Sequence, residues 1–211
     1  MKRPPNYGPK EFSSDTLVSR ETVERLQIYA KVLLKWNQTV NLVGQSTIEN
    51  LWHRHFLDSA QLYPRISPNS QVLLDLGSGA GFPGLVLAIM GCSCVHLVEK
   101  DRTKTTFLRE VARLTETEVH IHNAQIDAFE PFPVDIVTAR ALAPISDLLV
   151  WAEPFLGSES VCLFPKGRNV EEELTSIYNI WETEIVRLPS RTDPQSTIVC
   201  MRGVRRVRTS S

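Results

Sequence analysis

Little in this sequence would stabilise the chain by anything other than packing. Its four cysteines, Cys92, Cys94, Cys162 and Cys200, form no Cys-x-x-Cys pair and lie in stretches that read as apolar. They are expected to be buried thiols in a reducing compartment, with no disulfide framework and no metal site. Long hydrophobic runs are missing too. The longest, residues 85–90, is far short of the roughly 20 residues a bilayer-spanning helix needs, and Lys2-Arg3-Pro4-Pro5 leads into no apolar segment. No membrane partner is expected, and the cytoplasm is the expected location. There is no internal repeat or low-complexity tract, which excludes solenoids and fibrous classes.

Charge is nearly balanced, with 23 Lys and Arg against 24 Asp and Glu and a net charge of -1, but it is unevenly placed. Residues 1–70 are basic on balance, residues 71–200 acidic, and Arg202, Arg205, Arg206 and Arg208 follow without an acid. Basic ends permit a polyanionic partner without demanding one. At 211 residues the chain is long enough to bury about 70% of its unfolded surface in one large domain or one domain with an addition.

The hydrophobic period changes near residue 70. Before it, Leu26, Tyr29, Ala30 and Leu33 follow helical spacing behind Ser19 as a cap, predicting a helix over about 20–37. A second helix is expected from Ile48 to Tyr63, stopped by Pro64. Residues 1–70 thus read as an N-terminal helical extension packed onto the α/β domain of residues 71–211. Tyr29 and Trp36 are expected in its core, and Asn37 and Asn41 to cap and pack it.

From Gln71 onward, seven short apolar runs alternate with helical patterns. Strands are expected near 71–76, 94–98, 118–122, 134–139, 159–164, 182–188 and 196–202, and helices near 83–91, 102–114, 145–156 and 169–180. This predicts a mainly parallel seven-stranded sheet covered on both faces, with an antiparallel hairpin at one edge. Ligands of such sheets bind beyond the carboxyl ends of the strands.

The strongest local signal is the run from Val72 to Gly84, where a strand passes into Gly77-Ser78-Gly79-Ala80-Gly81-Phe82-Pro83-Gly84. Glycines there allow a tight turn and a close ligand approach. Gly79, Gly81 and Gly84 satisfy the dinucleotide spacing, and Glu99 closes the next strand where an acid could hold ribose hydroxyls, so a nicotinamide cofactor is allowed. Asp75 favours a cationic ligand instead, since a carboxylate beside the loop suits the sulfonium and ammonium of S-adenosylmethionine better than a pyrophosphate.

Residues 75–84 resemble the first motif of class I (Rossmann-like) methyltransferases. With Trp36-Asn37-Gln38-Thr39-Val40-Asn41-Leu42, Arg54-His55-Phe56-Leu57-Asp58-Ser59, Lys104-Thr105-Thr106-Phe107-Leu108 and Thr138-Ala139-Arg140-Ala141, the chain resembles the RsmG (GidB) family of bacterial small-subunit rRNA guanine-N7 methyltransferases. The resemblance implies S-adenosylmethionine as cofactor and 16S rRNA or the small ribosomal subunit as partner, with a monomer expected. Asp75, Gly77, Gly79, Phe82, Glu99, Ile126, Asp127 and Arg140 are the expected cofactor-binding residues; family members often carry Ala-Glu at the Ile126-Asp127 position. A small-molecule or protein methyltransferase, a nicotinamide-dependent oxidoreductase and a non-catalytic rRNA-binding scaffold are the alternatives.

Guanine N7 is a bare acceptor with no proton to remove. The fourth strand end, Thr138-Ala139-Arg140-Ala141-Leu142-Ala143-Pro144, carries neither an Asn/Asp-Pro-Pro-aromatic element for an exocyclic amine nor a Pro-Cys nucleophile. Arg140, Lys166 and, through the resemblance, His55 are the candidates for positioning the base or the RNA. His96, His120 and His122 have strand spacing without ligand companions and receive no chemistry. The cations of the helix after Glu99, Lys100 to Arg113, read as a solvated face that could join in gripping phosphates.

Overall fold

A computed structural model describes residues 7–207. The basic residues Lys2, Arg3 and Arg208 lie outside that range. The chain forms α1 (Pro9–Thr16) and α2 (Arg20–Trp36), then a broken helical segment of α3 (Gln45–Ile48), a π-helical turn at Trp52–Leu57, α4 (Asp58–Ala60) and a 3-10 turn at Tyr63–Arg65. The α/β part follows as β1 (Leu73–Leu76), α5 (Gly84–Ile89), β2 (Val95–Glu99), α6 (Arg102–Leu114), β3 (His120–Asn123), β4 (Val134–Thr138), α7 (Ile145–Ala152), β5 (Leu156–Lys166), α8 (Val170–Ile177), β6 (Trp181–Pro189) and β7 (Thr197–Arg206).

The seven strands form one sheet in the order β3-β2-β1-β4-β5-β7-β6. β1 to β5 are mutually parallel, and β7 runs antiparallel to both β5 and β6. The strand order therefore reverses at β1, which has β2 on one side and β4 on the other. Doubly wound sheets open their ligand crevice at such a switch point, and here that crevice faces the glycine run.

Alternation along β1 assigns its residues to the two faces. Leu73 belongs to the cluster beneath α2, α5 and α6, with Leu85, Phe107 and Leu163. Leu74 and Leu76 belong to the opposite cluster with Leu148, Leu149 and Leu174 of α7 and α8. Phe12, Leu26, Tyr29, Leu33 and Phe56 of the extension sit in the first cluster without a break, so the extension shares the core of the sheet.

Ser19 accepts from the Thr22 amide at 3.2 Å and caps α2. Asn37 ends it, accepting from Leu42 and Val43 at 2.9 Å each and donating to the Val43 carbonyl. Two elements depart from the sequence reading. α1 has only Phe12 as a fully buried apolar position, too sparse a stripe to signal a helix. The single helix expected over 48–63 is instead broken and widened at Trp52–Leu57, a local register change that apolar spacing does not encode. The thiols also divide: Cys162 and Cys200 are buried, Cys92 is half-buried and Cys94 is exposed, contrary to uniform burial.

Candidate cofactor and base-positioning site

The glycine run is a set of close approaches. Gly77 has φ +63°, and a Cβ there would meet Leu142 Cδ1 at 2.6 Å. Gly81 has φ +91° and its Cβ would meet the Tyr29 hydroxyl at 2.6 Å. That hydroxyl, from the middle of α2, donates to the Ala80 carbonyl, so the extension braces the loop from behind. The Phe82-Pro83 bond is cis. Phe82 stacks on Tyr29 with ring centroids 5.4 Å apart and takes the Arg140 guanidinium over its ring at 5.0 Å.

Beyond the carboxyl ends of β1, β2 and β4 lies a cavity of about 460 Å3, within the range of small-molecule sites. It brings together Gly77, Gly79, Phe82, Glu99, Ile126, Asp127 and Arg140 of the expected cofactor-binding residues, and also His55. Glu99 is held in place by two amides, Gly79 donating to Oε2 at 2.9 Å and Asp101 to Oε1 at 2.8 Å. Lys100, Lys104, Leu142 and Trp151 line the cavity as well; of these only Trp151 carried no sequence signal.

Asp75 is placed elsewhere. Its carboxylate is fully buried beneath the loop, accepting from the Thr138 hydroxyl at 2.7 Å and the Gly84 amide at 3.3 Å. Burial raises its pKa to about 6 against the opposing pull of those hydrogen bonds. It ties β1 to β4 and to the start of α5 and does not line the cavity, so it does not choose between cofactors by direct contact.

Arg140 is the centre of the polar wall. Nη1 donates to the Arg54 carbonyl at 3.2 Å and to Asp58 Oδ2 at 3.1 Å, and Nη2 to His55 Nδ1 at 2.8 Å. An arginine only donates, so Nδ1 of His55 is the accepting nitrogen and its proton sits on Nε2. Nε2 faces Thr47 Oγ1 at 2.8 Å, and that hydroxyl donates its own hydrogen bond to the Gly44 carbonyl. Burial, then the Arg140 and Arg54 charges, lower the His55 pKa to about 3, so the ring is neutral at physiological pH. Asp58 also accepts from Gln61 Nε2 and from the Thr192 hydroxyl at 2.6 Å. Asp58 lay in a quoted motif without a role; Thr192 carried no signal, because only the fold brings the loop after β6 beside the extension.

A second cavity of about 350 Å3 shares His55, Arg140 and Ala141 with the first and adds Arg54, Lys166 and Thr192. Lys166, at the end of β5, donates to the Ala143 carbonyl at 2.8 Å and pairs with Glu173 at 2.6 Å. Its ammonium is thus tied to the rim of this second space.

The sheet order with a glycine-turned first strand and a cavity at the switch point defines a class I methyltransferase fold. Solved structures agree at the level of fold: the ribosomal protein L11 methylase of Lactobacillus delbrueckii subsp. bulgaricus superposes with TM-score 0.55 at 15% identity over 71% of this chain and 77% of that one. The tRNA (m1A58) methyltransferase TrmI of Aquifex aeolicus gives 0.53 at 16% identity over 72% and 69%.

Sequence comparison narrows the class to a family. The family described as GidB, rRNA small subunit methyltransferase G, matches residues 22–208, and the chain belongs to it. The ribosomal RNA small subunit methyltransferase G of Paramagnetospirillum magneticum is 53% identical over 95% of this chain and 98% of its own. That of Rhodospirillum rubrum is 51% identical over 90% and 95%.

Proposed function

We propose that the protein transfers the methyl group of S-adenosylmethionine to N7 of a guanine in small-subunit (16S) ribosomal RNA, acting as a cytoplasmic monomer. Membership of the methyltransferase G family supports the reaction class, and the wall shared by the two cavities carries the detailed reading. The chain's own residues fit such a cofactor: the cavity is large enough, positive-φ glycines bring backbone to its floor, and Glu99 and Asp127 offer carboxylates beside the apolar Ile126. When bound there, the cofactor supplies a methyl group already activated by a positive sulfur.

In this reading Gly77, Gly79 and Phe82 would hold the cofactor's amino-acid end against the loop. Glu99 would receive the ribose, and the Ile126-Asp127 turn would border the adenine. Arg140 and His55 border both cavities and would align the base with the methyl group. Neither is a general base, because the Arg140 guanidinium offers only donors and the accepting nitrogen of His55 is engaged by Arg140. N7 needs no base, so the work left to the protein is alignment and exclusion of water. Arg54 and Lys166 border the second cavity, where the guanine and its phosphates would enter. No helix among the described residues is long and apolar enough to cross a membrane, and the four free thiols suit a reducing compartment.

Labelled methyl transfer to small-subunit particles and to protein-free rRNA, followed by nucleoside analysis, tests the proposal. The expected product is labelled 7-methylguanosine, with Arg140→Ala losing at least about 100-fold in kcat/KM if alignment depends on it. Transfer to neither RNA form while the cofactor still binds would overturn the substrate assignment.

A further inference from the structure

A second cluster of chemically capable side chains lies at the opposite end of the sheet from the cavities. His96 on β2 is in register with His120 on β3, their rings stacked 4.5 Å apart. Cys94, just before β2, places Sγ 3.4 Å from His96 Nε2. One donor atom from each of Cys94, His96 and His120 lies within 4.8 Å of the others. The companion absent from the sequence spacing is therefore the exposed thiol, which sits two positions from His96.

We propose that Cys94, His96 and His120 form a binding site for a divalent cation of the zinc class, with His122 as the supporting partner of His96. Thiolate and imidazole are the donors that zinc prefers, and three such ligands leave a fourth position for water. Tetrahedral zinc at about 2.3 Å from sulfur and 2.0–2.1 Å from nitrogen sets donors about 3.5 Å apart. The sulfur-to-His96 distance already matches, and His120, exposed at the sheet edge, closes by side-chain rotation.

Two further observations support a site. His96 Nδ1 lies 3.0 Å from His122 Nε2, so coordination through Nε2 leaves the other ring nitrogen free to donate to a fixed partner, the arrangement that orients metal-bound histidines. Phe132 packs on His96 and Phe129 on His122, each at 4.5 Å, walling the cluster on one side. Cys94 itself sits at φ +41°, where a side-chain-bearing residue is strained, and its carbonyl is tied to the Leu73 amide. The thiol is held toward His96 at that expense. Coordination displaces the thiol proton to solvent. The ion would clamp the edge strand β3, about 10 Å below Glu99 along the strands, and β3 leads directly into the Gln125-Ile126-Asp127 wall of the first cavity.

The test is addition of Co2+, then Zn2+, to untagged, chelator-treated full-length protein. The expected result is a thiolate-to-cobalt charge-transfer band saturating near one equivalent and bleached by Zn2+. Cys94→Ser and His120→Ala should each abolish the band, whereas Cys92→Ser and Cys162→Ser should retain it. Zn2+ should raise the melting temperature of the parent and of Cys162→Ser but not of Cys94→Ser, whose metal-free melting should match the parent's because the side chain is exposed. Absence of the band in the parent, its persistence in Cys94→Ser, or an equal zinc effect on melting in all variants would overturn the site.

Discussion

Gly77 shows how a single missing methyl group shapes the cavity. Gly77→Ala combines a left-handed backbone with a contact of 2.6 Å to Leu142, whereas Gly79→Ala at φ +56° meets nothing closer than the Gly77 carbonyl at 3.8 Å. Both carry the backbone penalty of about 1–2 kcal/mol, but only the first must displace Leu142 from the cavity wall. Calorimetric binding of S-adenosylhomocysteine should therefore weaken at least about tenfold more for Gly77→Ala than for Gly79→Ala; equal losses would refute a specific role for the Leu142 contact. His55 and Asp75 give opposite pH signatures. The folded pKa of His55 is lowered to about 3, so its contribution is complete above the unfolded value near 6.5 and is lost as pH falls from there toward 3. That of Asp75 is raised to about 6, so its contribution is complete below about 4 and lost as pH rises through 6. Between about pH 4 and 6 the two slopes offset each other. Removing one reveals the other: the stability advantage of the parent over His55→Gln, from urea unfolding, should shrink by about 1.4 kcal/mol per pH unit on acidification from 6.5 toward 4. A pH-independent gap would show that His55 is not held neutral.

Among the elements, α2 couples the extension to the loop through one hydroxyl. Tyr29 is fully buried, and Tyr29→Phe would leave the Ala80 carbonyl without its donor while keeping the ring stack on Phe82. The expected loss is about 1–3 kcal/mol in unfolding free energy, together with weaker cofactor binding. Intact binding with lowered stability would confine the bond to packing. The sequence signalled α2 well because its cap and apolar stripe are local, and the glycine run because strand, turn and helix follow one another. The π-helical turn was not legible: His55, Phe56 and Leu57 are all buried, and that widening aims His55 at Arg140 from 85 residues away. Asp75 was placed correctly on its strand but facing the wrong partner, since alternation along β1 turns it toward α5 and beneath the loop. The pairing of Cys94 with His120 was invisible for a related reason, because it depends on strand register and not on spacing along the chain.

For the whole molecule, the extension and the sheet share one hydrophobic cluster. The expected boundary near residue 70 marks a change of periodicity, but Phe12, Leu26 and Phe56 lie in the same cluster as Leu85, Phe107 and Ile198. A fragment of residues 71–211 would expose that face of the sheet. It should show no cooperative thermal transition and should bind a hydrophobic dye; a sharp melt close to that of the parent would establish the extension as an independent domain. Charge is partly neutralised within the fold, since Arg205 pairs with Glu182 and Arg206 with Glu153. Those two arginines are therefore less free than composition suggests, whereas Lys100 and Lys104 line the first cavity.

The loop between β6 and β7 gives the molecule an order of assembly. Thr192 binds Asp58, the Arg191 amide donates to Gln61 and the Arg191 side chain reaches Asp15, so the last hairpin fastens the first helices. A chain still emerging from the ribosome has made the glycine loop, Arg140 and the whole extension well before it makes these clasps. Domains generally begin to fold from the N-terminal side during synthesis, yet this one completes the support of Arg140 only when its final strands arrive. The candidate site thereby gains its last supporting hydrogen bonds only when the β6–β7 loop is in place.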